Sequence, residues 1–261
     1  MRILIAIKYV PDADEIRIDE NTGTMIRAGI PGIINPLDLY AIEAALRLRE
    51  QYGGEVLALS MGPPQAEAAL REALSMGVDE AFLLTDRYFA GADTWATAYT
   101  LSHGIKKIGS FDLIICGERA TDGETGQVGP ELGAILDLPV ITYVSKIEKI
   151  DRNYIICRRL MEEGYQLVKT TLPALLTVVK EIGEPRLPTF SGKLRSRKAT
   201  ISHFKLNDLG LSPEEVGLAG SPTRVVKIFY PSLNRETVLI HAPPEKAVKE
   251  IVSFLRKLGL V

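Results

Sequence analysis

Residues 116–131 read CGERATDGETGQVGPE, and this stretch decides the fold because it places four glycines between an apolar run and a helical segment. The run before it, FDLIIC at Phe111 to Cys116, predicts a buried parallel strand, and the segment from about Glu124 to Asp137 predicts the next helix. Glycine allows positive φ and close approach of a ligand, and the unpaired amides of a helix start attract an anion, here expected to be phosphate. The glycines are Gly117, Gly123, Gly126 and Gly129.

The spacing of this loop matches neither of two common nucleotide motifs, GxGxxG and GxxxxGK[ST]. An ordinary strand-to-helix loop, with Asp122 or Thr125 as the N-cap of the helix, is therefore an alternative to a nucleotide site. The two interpretations differ in whether the helix start is satisfied by the chain itself or is left for a ligand.

Strand-like and helix-like segments alternate before this loop, which predicts a parallel sheet covered by helices. Asn35 before Pro36 indicates an N-cap followed by proline at the first helical position. The predicted strands are Ile3 to Val10, Glu55 to Ser60 and Ala81 to Thr85, and the predicted helices are Pro36 to Gln51, Pro64 to Ser75 and Asp93 to Lys107.

After the loop the pattern changes twice. Residues from about Val140 to Val179, ending in LPALLTVV, predict short strands in an antiparallel meander appended to the parallel sheet. From Glu184 the chain has no long apolar run, so it must pack against something else, and an amphipathic helix is expected at roughly Pro244 to Leu258. We therefore predict an α/β domain over residues 1–183 and a C-terminal arm over residues 184–261.

Composition excludes several classes of function. The 261 residues carry 31 basic and 33 acidic side chains, a net charge of -2, which argues against a nucleic-acid binder. Three isolated histidines at no ligand spacing predict no metal site, and Cys116 and Cys157 in apolar runs indicate core thiols. No apolar run is long enough to span a bilayer, so a cytoplasmic protein without direct membrane insertion is expected.

Candidate binding residues follow the predicted parallel strands, and the carboxyl ends of such strands are where open α/β sheets hold ligands. Small Ala6 and Lys8 follow the first strand, Asn35 and Asp38 begin the first helix, and Met61 ends the second strand. Solvated charges at Lys8 and Asp38 and core packing of Met61 are the alternatives.

A further segment, FAGADTWATAYTL at Phe89 to Leu101, leads into a helix that is rich in small residues and leaves room for a bulky ligand. Thr94 and Thr97 lie on one helical face and could contact the same group. An N-cap with a tightly packed helix face is the alternative here.

Six stretches together resemble the β subunit of electron transfer flavoproteins, in order and over nearly the whole chain. They are IKYVPDADEIRID, GIINPLD, LSMGPPQAEAALREALSMGVDEAFLL, FAGADTWATAYTL, DGETGQVGPELG and LPALLTVVKEIGEPR. The resemblance implies a Rossmann-like α/β domain of the adenine-nucleotide-binding type and a C-terminal arm that wraps a partner. It also implies an obligate heterodimer with an α subunit, which holds the electron-transferring FAD between the two chains.

Within that family the β subunit holds either structural AMP, in plain carriers, or a second FAD, in electron-bifurcating forms that also bind NADH. VPDADEIRID, FAGADTWATAYTL and DGETGQVGP are similar to the bifurcating group, in which NADH reduces FAD by hydride transfer and the electrons part toward two acceptors. The resemblance thus implies an electron-carrier subunit that oxidises NADH only in the assembled complex, with FAD here and AMP as the alternative. Dehydrogenases or further redox subunits, among them subunits that attach the complex to a membrane, are implied as additional partners.

The resemblance also implies cofactor-binding residues, which match by position. Thr94 and Thr97 would face the flavin, while Arg119 stands one position beyond the arginine of the bifurcating pattern, because Glu118-Arg119 replaces Arg-Gln. The residues implied for the nucleotide half are Ala6, Asn35, Asp38, Met61, Gly117, Asp122, Gly123, Thr125, Gly126, Gln127 and Val128.

The basic stretch Lys193 to Lys205 follows the family's partner-recognition loop, which maps near Phe190. An exposed aromatic flanked by cations could dock a dehydrogenase, whereas a solvated surface is the ordinary alternative. A third function of another class, an ATP-binding signalling module, would use the same cradle and predicts a colourless homodimer.

Overall fold

The computed structural model describes residues 1–12, 17–18, 25–26, 32–226 and 237–261. Its tertiary contacts divide the chain into two compact units, Met1–Val226 and Lys227–Val261. Part of one motif used above, residues 13–16 and 19 of VPDADEIRID, lies outside the described residues.

Nine strands of the described chain form one sheet in the order β11-β10-β9-β12-β8-β1-β6-β7-β13. Seven of them, from β9 to β13 in that order, run parallel, and β10 and β11 are antiparallel additions at one edge. In chain order the strands are Arg2–Ala6 (β1), Tyr9–Pro11 (β2), Arg17–Ile18 (β3), Met25–Ile26 (β4), Gly32–Ile34 (β5), Glu55–Met61 (β6), Glu80–Leu84 (β7), Leu113–Gly117 (β8), Val140–Ile150 (β9), Tyr154–Met161 (β10), Gly164–Thr171 (β11), Ala174–Val178 (β12) and Ser202–Phe204 (β13).

Helices cover both faces of this sheet, as predicted from the alternating pattern. Because side chains alternate along a strand, Ile3 and Ile5 of β1 pack in the core under α1 and α2, whereas Leu4 packs in the core under α3 and α4. Among the described residues, the α-helices of the first unit are Pro36–Tyr52 (α1), Glu67–Met76 (α2), Thr94–Ile108 (α3), Val128–Ile135 (α4) and Phe190–Lys198 (α5), and the second unit contains Pro244–Lys257 (α6). The α/β class with a Rossmann-like sheet is confirmed.

The predicted meander is right for β9, β10 and β11 but wrong for the strand LPALLTVV. This strand, β12, lies between β8 and β9 and pairs parallel with both. All five of its residues are buried, as expected for a central parallel strand with both faces covered. The position of β12 directly after β11 in the sequence did not indicate this parallel pairing, because the chain returns to the centre of the sheet after the hairpin of β10 and β11.

Residues between 184 and 226 pack against the sheet domain, as their lack of apolar runs predicted. β13 extends the sheet beyond β7, and α5 packs on α2. The guanidinium of Arg186 forms ion pairs with Glu43 and Glu50 of α1. The first compact unit ends at Val226, and the domain division after residue 183 stays a prediction. That the arm wraps a partner stays a prediction.

The second unit contains α6, whose bounds confirm the amphipathic helix expected from about Pro244 to Leu258. Val248, Ile251 and Phe254 are about half exposed along this helix (58%, 47% and 55%).

In the first unit, Cys116 and Cys157 are free and buried, and burial raises the pKa of each thiol to about 12. The prediction that both are core residues is confirmed.

Candidate functional site

Parallel pairing brings the predicted binding segments to one rim of the sheet, at the carboxyl ends of β1, β6 and β8. Ala6 ends β1 opposite Leu59 and Cys116, and Met61 ends β6, with both side chains half-buried against the core under α3 and α4. The pairing of β2 with β5 and the bond from Asn35 N to Lys8 O (2.8 Å) place the start of α1 beside the end of β1. The expected convergence of these segments is confirmed.

Asn35 ties the start of α1 to the loop that follows β8. Its side chain is 1% exposed; Nδ2 donates to the carbonyl of Arg119 (2.8 Å), and Oδ1 accepts from the amide of Thr121 (3.2 Å). Asn35 occupies the N-cap position of α1 but makes no side-chain cap bond. The side-chain amide of Asn35 therefore holds the backbone of the loop in place.

Asp38 ties together two strand ends. The carboxyl is 5% exposed, Oδ2 accepts from the amide of Lys8 (2.7 Å), and the amide of Gly117 and the side chain of Asn35 also bond to it. Burial raises the pKa of Asp38 from 3.8 to about 7, although these bonds act in the opposite direction. A Cβ at Gly117 would lie 2.4 Å from Asp38 Oδ1, so only glycine fits there.

The outer part of the loop is exposed. Lys8 Nζ pairs with Asp122 Oδ1 at 2.6 Å across the rim. The guanidinium of Arg119 is about half exposed and lies 4.0 Å from the carboxylate of Glu118. Thr125 is exposed as well, and a Cβ added at Gly123 would meet no atom within 4 Å, so there is open space beside this backbone.

The loop continues further than predicted, since α4 begins at Val128 and not near Glu124. Glu124 (φ 52°) and Gly126 (φ 63°) are left-handed, and such residues cannot belong to a right-handed helix. Of the four glycines that allow positive φ, Gly126 adopts it, whereas Gly117, Gly123 and Gly129 do not.

The start of α4 lacks a side-chain cap. Gln127 is at the N-cap position without a cap bond, so neither Asp122 nor Thr125 caps this helix. A Cβ at Gly129 would lie 2.5 Å from Thr177 Cγ2 of β12, which shows how closely the first turn packs on the sheet. Free amides, a helix dipole and open space beside the loop form a site that fits a phosphate group.

The opposite wall of the rim is the start of α3. Asp93, where this helix is predicted to begin, is its N-cap and accepts from Ala96 N (3.0 Å). Although burial acts to raise it, bonds from Ala96, Thr223 and Ser221 hold the pKa of Asp93 below its ordinary value. Thr94 and Thr97 are both half-buried, and Thr94 Oγ1 donates to Glu131 Oε1 of α4 (3.0 Å) and lies 3.5 Å from Gln127 Oε1.

Glu131 is a residue that sequence reasoning missed. Its Oε2 atom is buried and has no hydrogen-bond partner among the residues that the structure describes. Burial raises the pKa of Glu131, Thr94 counteracts this, and the charge of Asp93 adds to it. In sequence Glu131 is an ordinary acid in a helix's first turn, where the dipole favours it, and nothing local predicted its burial.

Phe190 begins α5 and is 81% exposed. Arg195 of α5 donates to the carbonyls of Leu74 and Val78 at the end of α2, and Arg71 of α2 donates to the carbonyls of Ser196 and Ala199. Each helix thus caps the other, and Arg195 is not a free cation of the predicted basic patch. Exposed Leu187 (85%) lies close in sequence to Phe190.

The sheet order, the helices on both faces and the uncapped helix at the strand ends define the chain as a Rossmann-like α/β protein with a rim suited to a nucleotide. The model of the electron transfer flavoprotein domain matches residues 22–209. The chain therefore belongs to the electron transfer flavoprotein family, and its similarity to the β subunit described next makes it a β subunit.

Relatives cover most or all of the chain. It is 47% identical over 262 residues to the electron transfer flavoprotein subunit beta of Thermoanaerobacterium thermosaccharolyticum, with all of both chains covered. It is 50% identical over 232 residues to subunit CarD of the caffeyl-CoA reductase-Etf complex of Acetobacterium woodii, with 88% of each chain covered. It is 42% identical over 271 residues to protein FixA of Azorhizobium caulinodans, with 99% and 96% covered.

Neither a metal cluster nor a membrane-spanning helix is found in the described part of the chain. Among the described residues, no group of three or more His, Cys, Asp or Glu side chains is placed to hold a metal ion. Within the same residues, no helix is both long and apolar enough to cross a bilayer.

Proposed function

We propose that this β subunit binds FAD at the sheet rim and that, paired with its α subunit, it carries electrons from NADH or dehydrogenases by flavin-based electron bifurcation. The observation that carries this proposal is the wall opposite the loop, where Thr94, Thr97 and Glu131 line the α3 side and Glu131 Oε2 has no hydrogen-bond partner among the described residues. A mononucleotide held by the loop and α4 would leave that wall without a ligand. A dinucleotide would reach it.

Different residues would bind the two halves of FAD. The amides at the start of α4 and the open backbone at Gly123 would hold phosphate, with Asn35 and Asp38 keeping loop and strand ends in place. Thr94 and Thr97 would orient the other half, and the burial of this wall would exclude water. When bound, FAD supplies the hydride and one-electron chemistry.

A plain carrier with structural AMP is the second candidate, because the loop, α1 and α4 alone could hold a mononucleotide. The nucleotides released from the purified heterodimer distinguish the two functions. Two FAD per heterodimer support the bifurcating subunit, and one FAD with one AMP supports the plain carrier. A colourless homodimer without an α subunit would contradict both.

We also propose that Phe190 docks a partner dehydrogenase or redox subunit. Exposed aromatic side chains are frequent anchors of interfaces, and the mutual capping of α2 and α5 would hold this one in a fixed position. Replacing Phe190 by Ala should slow electron delivery to the partner while the nucleotide content stays unchanged. Tyr52→Ala, an exposed aromatic at the end of α1, is the matched control. Unchanged rates in Phe190→Ala would remove the docking role.

A further inference from the structure

The carboxyl of Glu131 is incompletely satisfied inside the site. One oxygen, Oε1, accepts from the hydroxyl of Thr94 at 3.0 Å, and the other, Oε2, is buried without a partner among the described residues. A buried polar atom that lacks a hydrogen bond costs about 1–3 kcal/mol, so such atoms commonly mark a place that a ligand or water completes. Glu131 therefore needs a polar group beside α3.

The surroundings show what chemistry would satisfy it. The charged neighbour that influences Glu131 is another acid, Asp93, and burial disfavours the ionised carboxyl. Gln127 Oε1 also faces Thr94, so several oxygen acceptors lie close together on the α3 side of the rim. A ligand with hydroxyl or ring N–H groups could donate to these oxygens, whereas a phosphate would meet repulsion.

Position decides which part of a ligand this would be. The tie from Asn35 and the Lys8–Asp122 pair lie on the β1 and α1 side of the loop, while Glu131 faces α3, which packs on the other face of the sheet. A mononucleotide phosphate bound at the start of α4 would lie between the two sides. A ligand would then have to extend past that phosphate to reach the buried oxygen of Glu131.

We propose that Glu131 is a cofactor-binding residue that hydrogen-bonds the ribityl–flavin half of FAD and thereby selects FAD over AMP. This inference rests on the proposed function. It predicts that loss of the carboxyl weakens FAD binding and leaves AMP binding unchanged, which a general structural defect would not do.

The test uses the purified heterodimer after removal of the β-subunit nucleotide, titrated calorimetrically with FAD or with AMP. Glu131→Met removes the carboxyl at similar length. Glu131→Gln keeps two hydrogen-bonding atoms, because its Oε1 can accept from the ligand while its Nε2 donates to the hydroxyl of Thr94. Glu124→Gln, an exposed acid of the same loop, controls for lost charge. We expect Glu131→Met to weaken FAD by about tenfold or more, the effect of one lost hydrogen bond in a buried site, with AMP within about twofold. Heterodimers that carry Glu131→Gln or Glu124→Gln should stay within a few fold of wild type.

A second measurement applies even where Glu131→Met does not assemble. Infrared difference spectra should show a carboxyl band that shifts when FAD binds, does not shift with AMP and is missing in Glu131→Gln. Equal loss of FAD and AMP in Glu131→Met, unchanged FAD affinity, or no such band overturns the inference. A wild-type heterodimer that takes AMP but no second FAD refutes the proposed function as well, whereas a second FAD in wild type that binds with the same affinity in Glu131→Met refutes only the role of Glu131.

Discussion

The two sides of the rim differ in how completely the chain satisfies its own polar groups. On the α1 side, the side chains of Asn35 and Asp38 form hydrogen bonds with the backbone of the loop and of the strand ends. On the α3 side, Thr94 and Glu131 touch each other but leave a buried oxygen without a partner in the part of the chain that the structure describes. The difference suggests that the first side is framework, which shapes the cradle, and that the second side is where a particular ligand is chosen.

The largest expected effect concerns Asp38 as a framework acid. Because burial raises its pKa from 3.8 to about 7, the folded chain binds this proton more tightly than the unfolded chain does. Its contribution to the free energy of unfolding should therefore be fully present below about pH 4 and fall as the pH rises to about 7, by on the order of 4 kcal/mol. Urea unfolding across this range should show a smaller fall in Asp38→Asn, which cannot ionise. An equal fall in wild type and Asp38→Asn would contradict this account, and Asp122→Asn is the control.

A somewhat smaller effect on stability is expected from Gly129→Ala, at the start of α4 on the α3 side of the rim. The added Cβ would lie 2.5 Å from Thr177 Cγ2, and Thr177 is 2% exposed, so α4 must shift from the sheet. Such overpacking costs about 1–3 kcal/mol and would move Glu131 relative to Thr94. Thermal unfolding should show the loss, and FAD affinity should fall more than AMP affinity. Gly123→Ala, where the new Cβ meets nothing within 4 Å, should be tolerated; equal losses at both positions would argue against the packing explanation.

Asn35→Ala tests the framework side and should lower the free energy of unfolding by about 2 kcal/mol, because two part-buried backbone groups lose their hydrogen-bond partner. The released loop should weaken FAD and AMP to the same extent, as measured by titration of the heterodimer. Asn35→Asp keeps the acceptor for Thr121 but loses the donor to Arg119, so an intermediate loss is expected. A loss of affinity confined to FAD would show that Asn35 helps to select the ligand, and would contradict the distinction between the α1 side and the α3 side of the rim.

The smallest effect should follow from Lys8→Met. The Lys8–Asp122 pair is partly exposed, with 47% and 22% of the two side chains accessible, and exposed pairs contribute less than about 1 kcal/mol. A double-mutant cycle with Asp122→Asn measures the coupling in the free protein. A coupling well above that value would show that this pair is part of the framework.

Much of the fold could be predicted because its signals are local. Alternating segments indicated the parallel sheet, Asn35-Pro36 marked the start of α1, and Asp93 marked the start of α3. The errors arose where distant contacts decide. β12 is read as part of a meander because it follows a hairpin, and α4 starts late because Glu124 and Gly126 take left-handed φ.

The same division holds at the site. The sequence by itself determined the loop, the glycines and the residue types at the strand ends, because steric freedom, helix starts and apolar periodicity are properties of neighbouring residues. Only the tertiary structure decided that Asn35 and Asp38 face the protein's own backbone and that one carboxyl oxygen of Glu131 is buried beside Thr94. The physical reason is that burial and hydrogen-bond partners depend on residues far apart in the chain, which meet only when the sheet brings the two sides of the rim together.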